Sequence, residues 1–273
     1  MTVSSSMMSR LDVPVGSIDV LPRLAAANWP TKAALRTGTR TMTFGELDRD
    51  ISRLAFGLRQ LIGGDGLTVA LSAMLGVDFP RAFYAIARSG NVSAPVNPRM
   101  PADAFARLLA VTKVRVAILD RAMYERVRPA LAATPLEQVV LLDAPVGSSP
   151  VTCAELSTGG GLLVEPRDRD ENEPAAMLVG YGQGLSHHEL KAAAAQGVLT
   201  DGLTGHSVVL NALAAYHPTH LGAAVYSGAT QVLWRSPDQA TAAQEAQRVG
   251  ATHLLAGSVH HAEVLAEEEA KAS

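Results

Sequence analysis

The sequence predicts an α/β fold of two stacked lobes, with mainly parallel sheets flanked by helices. Three observations carry this. Short β-rich runs alternate with helical patterns along most of the chain, the order that strand–helix–strand units require. One stretch, residues 145–172, breaks the alternation and marks a boundary between two α/β regions. The 273-residue chain is 48% hydrophobic and 18% charged, a balance that buries a core rather than leaving a solvated coil.

The first lobe with its linker is residues 1–172. Thr43 and Glu46 form a Ser/Thr-x-x-Glu capping box, and Leu47, Ile51, Leu54 and Leu58 follow at helical spacing. Residues 67–71 predict a strand. Residues 79–88 predict a helix with Gly90 as its C-cap. Strands follow at 92–96, 114–119 and 139–142, with helices at 101–109 and about 122–131. Residues 147–150 and 159–161 read as loops, and 167–173, RDRDENE, as a solvated charge run. The second lobe, residues 173–273, resumes the alternation. Strands are expected at 176–179, 207–210, 231–234 and 253–255, and helices at 186–196, 213–226, 237–249 and from 259 onward.

A net charge of −3 gives no basic surface for nucleic acid or an anionic membrane. No apolar run is long enough to cross a bilayer. The first residues lack a basic region followed by an apolar core, which argues against a secretory signal. The single cysteine, Cys153, makes no internal disulfide or metal framework and reads as an ordinary thiol in the linker. A soluble cytoplasmic protein is therefore expected, with no nucleic-acid or membrane partner. Lysines occur only at Lys32, Lys113, Lys191 and Lys271, so lysine chemistry has few candidates; Lys191 reads as a solvated helix residue.

Particular segments narrow the fold. Residues 42–47 (MTFGEL), 83–90 (FYAIARSG), 94–99 (APVNPR) and 114–120 (VRVAILD) lie in the first lobe. Residues 174–182 (PAAMLVGYG), 184–189 (GLSHHE), 201–222, 226–233 (YSGATQVL) and 251–254 (ATHL) lie in the second. In this order they resemble signatures of the acyl-CoA synthetase and adenylation-domain (ANL) superfamily over roughly residues 20–266. The resemblance implies the fold of a shortened N-terminal domain of an acyl-CoA synthetase, without the C-terminal lid domain.

The same resemblance points to a loss. In the family the two segments at 174–189 flank a Ser/Thr/Gly-rich loop and a lysine, roughly PAAILYTSGTTGxPKGVxLSH. Here only Tyr181, Gly182 and Gln183 bridge them. Backbone N–H groups and an ammonium neutralise a polyphosphate in such a loop, and neither set is present. Nor does any later family motif for adenine, ribose or catalytic lysine follow. The chain is expected to be a truncated, degenerate member that does not adenylate, with no cofactor.

His217 is the candidate catalytic residue, because it matches the histidine of the family's PLFHxxG segment, which borders the pocket for the activated carboxylate. A near-neutral imidazole orients a carboxylate or moves a proton; the other reading is a packing or capping residue at a helix start. Tyr216, His220, Gly257, Ser258 and His260 are the candidate substrate-binding residues, and residues 257–260 replace a stretch that lines the family's acyl pocket. All eight histidines lie between His187 and His261, but the HPTH spacing contains a proline and lacks the HExxH geometry, so no metal site is expected. Ser186 beside His187 is not a triad, since no acid is positioned by a readable motif. Two functional readings result. One is a non-catalytic helper, docking on a protein partner or pairing as a homodimer in an acyl or thioester pathway of specialised metabolism. The other is an ATP-independent enzyme or binder of an acyl or aryl carboxylate or thioester, using the pocket near His217.

Overall fold

The computed structural model describes residues 13–38, 40–162, 169–178, 183–235 and 239–257. The chain opens with α1 (Val20–Asn28), the hairpin β1 (Ala33–Arg36) and β2 (Thr41–Thr43), and α2 (Phe44–Ile62). It continues through β3 (Thr68–Ser72), α3 (Asp78–Ser89), β4 (Val92–Val96), α4 (Ala102–Thr112), β5 (Val116–Leu119), α5 (Arg121–Leu131) and β6 (Gln138–Leu141). After α6 (Cys153–Leu156) come β7 (Pro174–Leu178), β8 (Gln183–Ser186), α7 (His187–Asp201) and β9 (Val208–Leu213). The described part ends with α8 (Pro218–Ser227), β10 (Thr230–Leu233), α9 (Gln239–Arg248) and β11 (His253–Gly257).

Two mainly parallel sheets result. One has the order β11-β9-β10-β1-β2, the other β6-β5-β3-β4-β7-β8, and among the described residues only the β1–β2 and β7–β8 pairs are antiparallel. Alternation along each strand separates the layers. Val69 and Leu71 of β3 face a cluster shared with α2 and α3, while Ala70 faces one shared with α4 and α5. On β9, Val209 packs with Ala223 and Ala224 of α8, and Leu210 turns to Ala242 of α9. The largest cluster joins the inner faces of both sheets, from Leu35 and Leu233 to Val69 and Ile118, through α1, α2, α3, α7 and α8.

Helix α3 shows what lies between the sheets: every residue from Phe79 to Ser89 is buried. A helix covered on all sides is a core helix. Helices α7 and α8 meet along a seam of small residues. A Cβ on Gly222 would lie 2.9 Å from the Ala194 Cβ, so glycine there sets how closely the two helices approach.

The capping box at Thr43 and Glu46 forms as expected, with Glu46 N–H donating to Thr43 Oγ1 at 3.2 Å and Thr43 N–H donating to Glu46 at 2.8 Å. Gly90 closes α3 in the left-handed region at φ 97°. Four expectations change. The helix expected at 213–226 begins at Pro218, because β9 runs on to Leu213 and proline suits the first helical turn, where its missing N–H costs nothing. Residues 183–186 form a strand, β8, paired antiparallel to β7. The irregular 145–172 stretch contains α6, nucleated by a Thr152–Glu155 capping box, so Cys153 is fully buried and burial pushes its thiol up to about 12. The division at 172/173 does not separate the sheets. Strands β7 and β8 complete the sheet of β3–β6, and β1 and β2 sit beside β10.

Lys191 is a fifth correction. It is 0% exposed, and its Nζ donates to the Pro14 and Gly16 carbonyls, each at 2.5 Å, and to Glu171 at 2.8 Å. A solvated lysine has none of these partners. Three oxygen acceptors instead satisfy its three donors, which is what allows an ammonium to be buried.

Candidate functional site

The carboxyl ends of the two sheets meet. From β3 the chain enters residues 73–77, from β9 residues 214–217, and from β10 residues 234–235. Tyr216 N–H donates to the Ala73 carbonyl at 2.8 Å, and Arg235 Nε donates to the Leu75 carbonyl at 2.5 Å. These two bonds fasten one sheet's edge to the other's. Crevices beyond the carboxyl ends of parallel strands are where open α/β sheets bind ligands.

His217 sits at this junction as the N-cap of α8. Its Nδ1 accepts from Thr219 N–H at 3.4 Å and lies 2.7 Å from Thr219 Oγ1. Its ring is 5.6 Å from that of His220. Burial lowers the pKa of both rings; His220 adds to the effect on His217, while Asp201 opposes it on His220. Both are therefore neutral near pH 7, able to accept a hydrogen bond or a proton but not to act as fixed cations. The local capping bonds give His217 a structural task whatever else it does. His217→Ala is expected to cost about 1 kcal/mol in urea unfolding with the native far-ultraviolet spectrum intact. A loss near 4 kcal/mol would show that more than a cap had gone.

The other expected residues divide. Tyr216 is 3% exposed, stacked on Phe79 at 5.1 Å, and its hydroxyl donates to Gln231 Oε1 at 3.3 Å. It is a buried joint between layers. His220 lines an open cleft of about 190 Å³ with Asp201, Val209, Ala223, His253 and Leu255, and its buried Nδ1 has no hydrogen-bond partner among the described residues. Gly257 ends β11 opposite Leu213, at the same carboxyl edge that leads to His217. Ser258 and His260 lie outside the described residues. Among the described residues no group of three or more His, Cys, Asp or Glu side chains is placed to hold a metal. Ser186 caps α7 by accepting from Glu189 N–H at 3.1 Å, with Glu189 reaching back to Ser186 N–H at 2.7 Å.

The β7–β8 hairpin bears directly on phosphate binding. Leu178 pairs with Gln183, so only Val179, Gly180, Tyr181 and Gly182 connect the two strands. This connection contains no lysine, serine or threonine. Its residues lie outside the described ones, but its length is set by the pairing on either side.

Sequence reasoning missed His187 and Lys191, which are both fully buried. The one available signal was Lys191 set among Leu190 and Ala192–Ala195, an apolar neighbourhood for an ammonium.

Two stacked, mainly parallel sheets with a helical layer between them and a junction at their carboxyl edges define an α/β fold shared with acyl-CoA ligases. The chain superposes on a long-chain-fatty-acid-CoA ligase from Archaeoglobus fulgidus with a TM-score of 0.80 at 19% identity, covering 88% of this chain and 51% of that one. It superposes on an inhibitor-bound N-terminal domain from Mycobacterium tuberculosis with a TM-score of 0.71 at 20% identity, covering 85% and 60%. In sequence it is 31% identical over 111 residues to the nonribosomal peptide synthetase agiA of Aspergillus flavus, covering 39% of this chain and 1% of that protein. The sequence profile described as AMP-binding enzyme matches residues 23–179. The chain belongs to the AMP-binding enzyme family, and it spans about half the length of the fatty-acid-CoA ligase it superposes on.

Proposed function

We propose that the chain is an acyl-handling member of this family that does not adenylate, and that it serves as a non-catalytic helper to a protein partner in an acyl or thioester pathway. The β7–β8 connection carries the reading. Four residues without a hydroxyl-rich turn or a lysine supply too few donors to hold a triphosphate. The strands around that connection pair normally and both sheets are well packed, so the scaffold persists without its phosphate loop.

The reading is tested by thermal shift on the purified chain with Mg–ATP, CoA, acyl and aryl carboxylates, and their thioesters. A ligand that binds only the folded state at a hundredfold excess over its Kd stabilises by about 2.7 kcal/mol, an unmistakable rise in Tm. Mg–ATP is expected to give none, and a clear rise with it would return the chain to the ATP-dependent ligases.

A second reading is favoured by one observation, the unpartnered Nδ1 of His220 in a cleft with an apolar wall of Val209, Ala223, Ala224 and Leu255. On this reading the pocket near His217 and His220 binds a small acyl or aryl carboxylate or thioester and acts on it by acid–base chemistry without ATP. The cleft is smaller than the roughly 300 Å³ at which drug-sized sites begin, so it suits a short group. Shifts with carboxylates or thioesters alone, abolished in His220→Ala, would favour it over the helper.

A further inference from the structure

Residues 14–18 cross the start of α7 and are held there by two neighbouring side chains. Lys191 Nζ donates to the carbonyls of Pro14 and Gly16 and is countered by Glu171. One helical turn earlier, His187 Nδ1 accepts from the Ile18 N–H at 3.0 Å and lies 3.3 Å from Ser17 Oγ. His187 is 0% exposed, and its Nε2 has no hydrogen-bond partner among the described residues. Asp19 follows at once, bound to Arg88 at 2.8 Å and Arg23 at 2.9 Å.

We propose that His187 is an acid-operated latch on residues 14–18: the neutral ring holds the segment, and a proton taken up at Nδ1 releases it. The Ile18 amide can only donate, so Nδ1 must offer its lone pair, and the ring proton must sit on Nε2. A second proton on Nδ1 would set two donors against each other. The Ser17 hydroxyl can turn to accept it, but the amide cannot turn.

The surroundings do not welcome the added charge. Lys191 on α7 and Arg169, before β7, both repel an imidazolium at this point. Asp19 attracts it, but its carboxylate is already engaged by Arg88 and Arg23. Glu171 is shared between Lys191 at 2.8 Å and the His188 ring at 3.4 Å. Burial first, then these cations, pushes the His187 pKa down to about 4. The sign of the pH effect follows. The opened or unfolded ring takes its proton near 6.5, the latched ring only near 4, so acid favours the open state from about pH 6.5 downward and the effect levels off below about 4. Opening grows by up to about tenfold per pH unit in the middle of that window and less near its ends. It also uncovers Lys191, since its two carbonyl partners belong to the same segment.

Amide hydrogen exchange on the full chain, corrected for intrinsic rates, tests the latch. Between pH 6.5 and 4.5 the opening equilibrium at Ile18 is expected to rise by roughly fortyfold while the β3 amides keep their protection. In His187→Asn the amide oxygen can still accept from Ile18 but does not titrate, so this acid response should vanish. Ile18 protection that ignores pH in the native chain, or the same acid loss in His187→Asn, would overturn the proposal. Should the variant not fold, the native chain decides by NMR. Proton uptake by His187 must coincide with loss of Ile18 protection, and uptake with protection retained refutes the latch.

Discussion

Arg88→Met is expected to cost the protein about 3–5 kcal/mol, among the largest losses any single polar substitution should produce here. Arg88 is 3% exposed and holds three elements together. Its Nε donates to Asp19 at 2.8 Å, one Nη to Asp48 at 2.6 Å, and the other to Ser52 at 2.6 Å. Burial alone would raise the Asp19 carboxyl, but Arg88 and Arg23 together hold it below the ordinary carboxylate range. That depressed pKa is stability present near neutrality and lost as pH falls through it. Without Arg88 the burial effect is opposed by Arg23 alone, and a half-compensated carboxylate is left in the core. Methionine fills much of the volume, so the loss reports charge rather than a cavity. Urea unfolding should therefore show a smaller penalty at pH 4 than at pH 7, because protonating Asp19 removes the half-compensated charge. A penalty below about 1 kcal/mol at pH 7 would mean that solvent reaches this network.

Tyr216→Ala is expected to cost a similar 3–5 kcal/mol, the usual range for removing a buried aromatic ring. The ring stacks on Phe79 of the enclosed helix α3, and its hydroxyl meets Gln231 of β10, itself 1% exposed. Truncation opens a cavity between the two sheets and leaves a buried amide oxygen without its donor. Tyr216→Phe should keep the stacking and lose only about 1 kcal/mol. Paired unfolding curves separate the two contributions. If the alanine variant proved nearly as stable as the native chain, Tyr216 would be facing open space and would return to the ligand-lining residues.

These two positions also show how far the sequence could be read. Local signals were legible because they are local: Thr43 and Glu46 three residues apart, Gly90 at the end of an apolar period, and 92–96 as a short strand bounded by Val92 and Val96. The capping box of α6 was hidden because a four-residue helix has no period to detect. The start of α8 was misjudged because Leu213 to Ala215 are apolar, and apolarity there serves β9 and its exit rather than a helical face. Lys191 was misjudged because two of its three partners are backbone carbonyls more than 170 positions away, and a carbonyl leaves no mark in a sequence. His217 could be placed by resemblance, but its capping bond to Thr219 and its closeness to His220 depend on where the helix begins. The strand order was the least legible, since no pattern within β1 announces that its parallel neighbour is β10.

That pairing has a consequence for how the molecule is made. Leu35 of β1 lies beside Gln231 of β10, so the hairpin β1–β2 leaves the ribosome long before the strand that covers its free edge exists. Helix α3 is in the same position, since Tyr216 and Leu221 join its core cluster from the far end of the chain. Most of the other sheet can assemble early, from β3 to β8, with one face still bare. The nascent chain thus carries an unpaired strand and an uncovered apolar layer until β10 has been made, a state in which parallel α/β proteins fold slowly and are prone to aggregate.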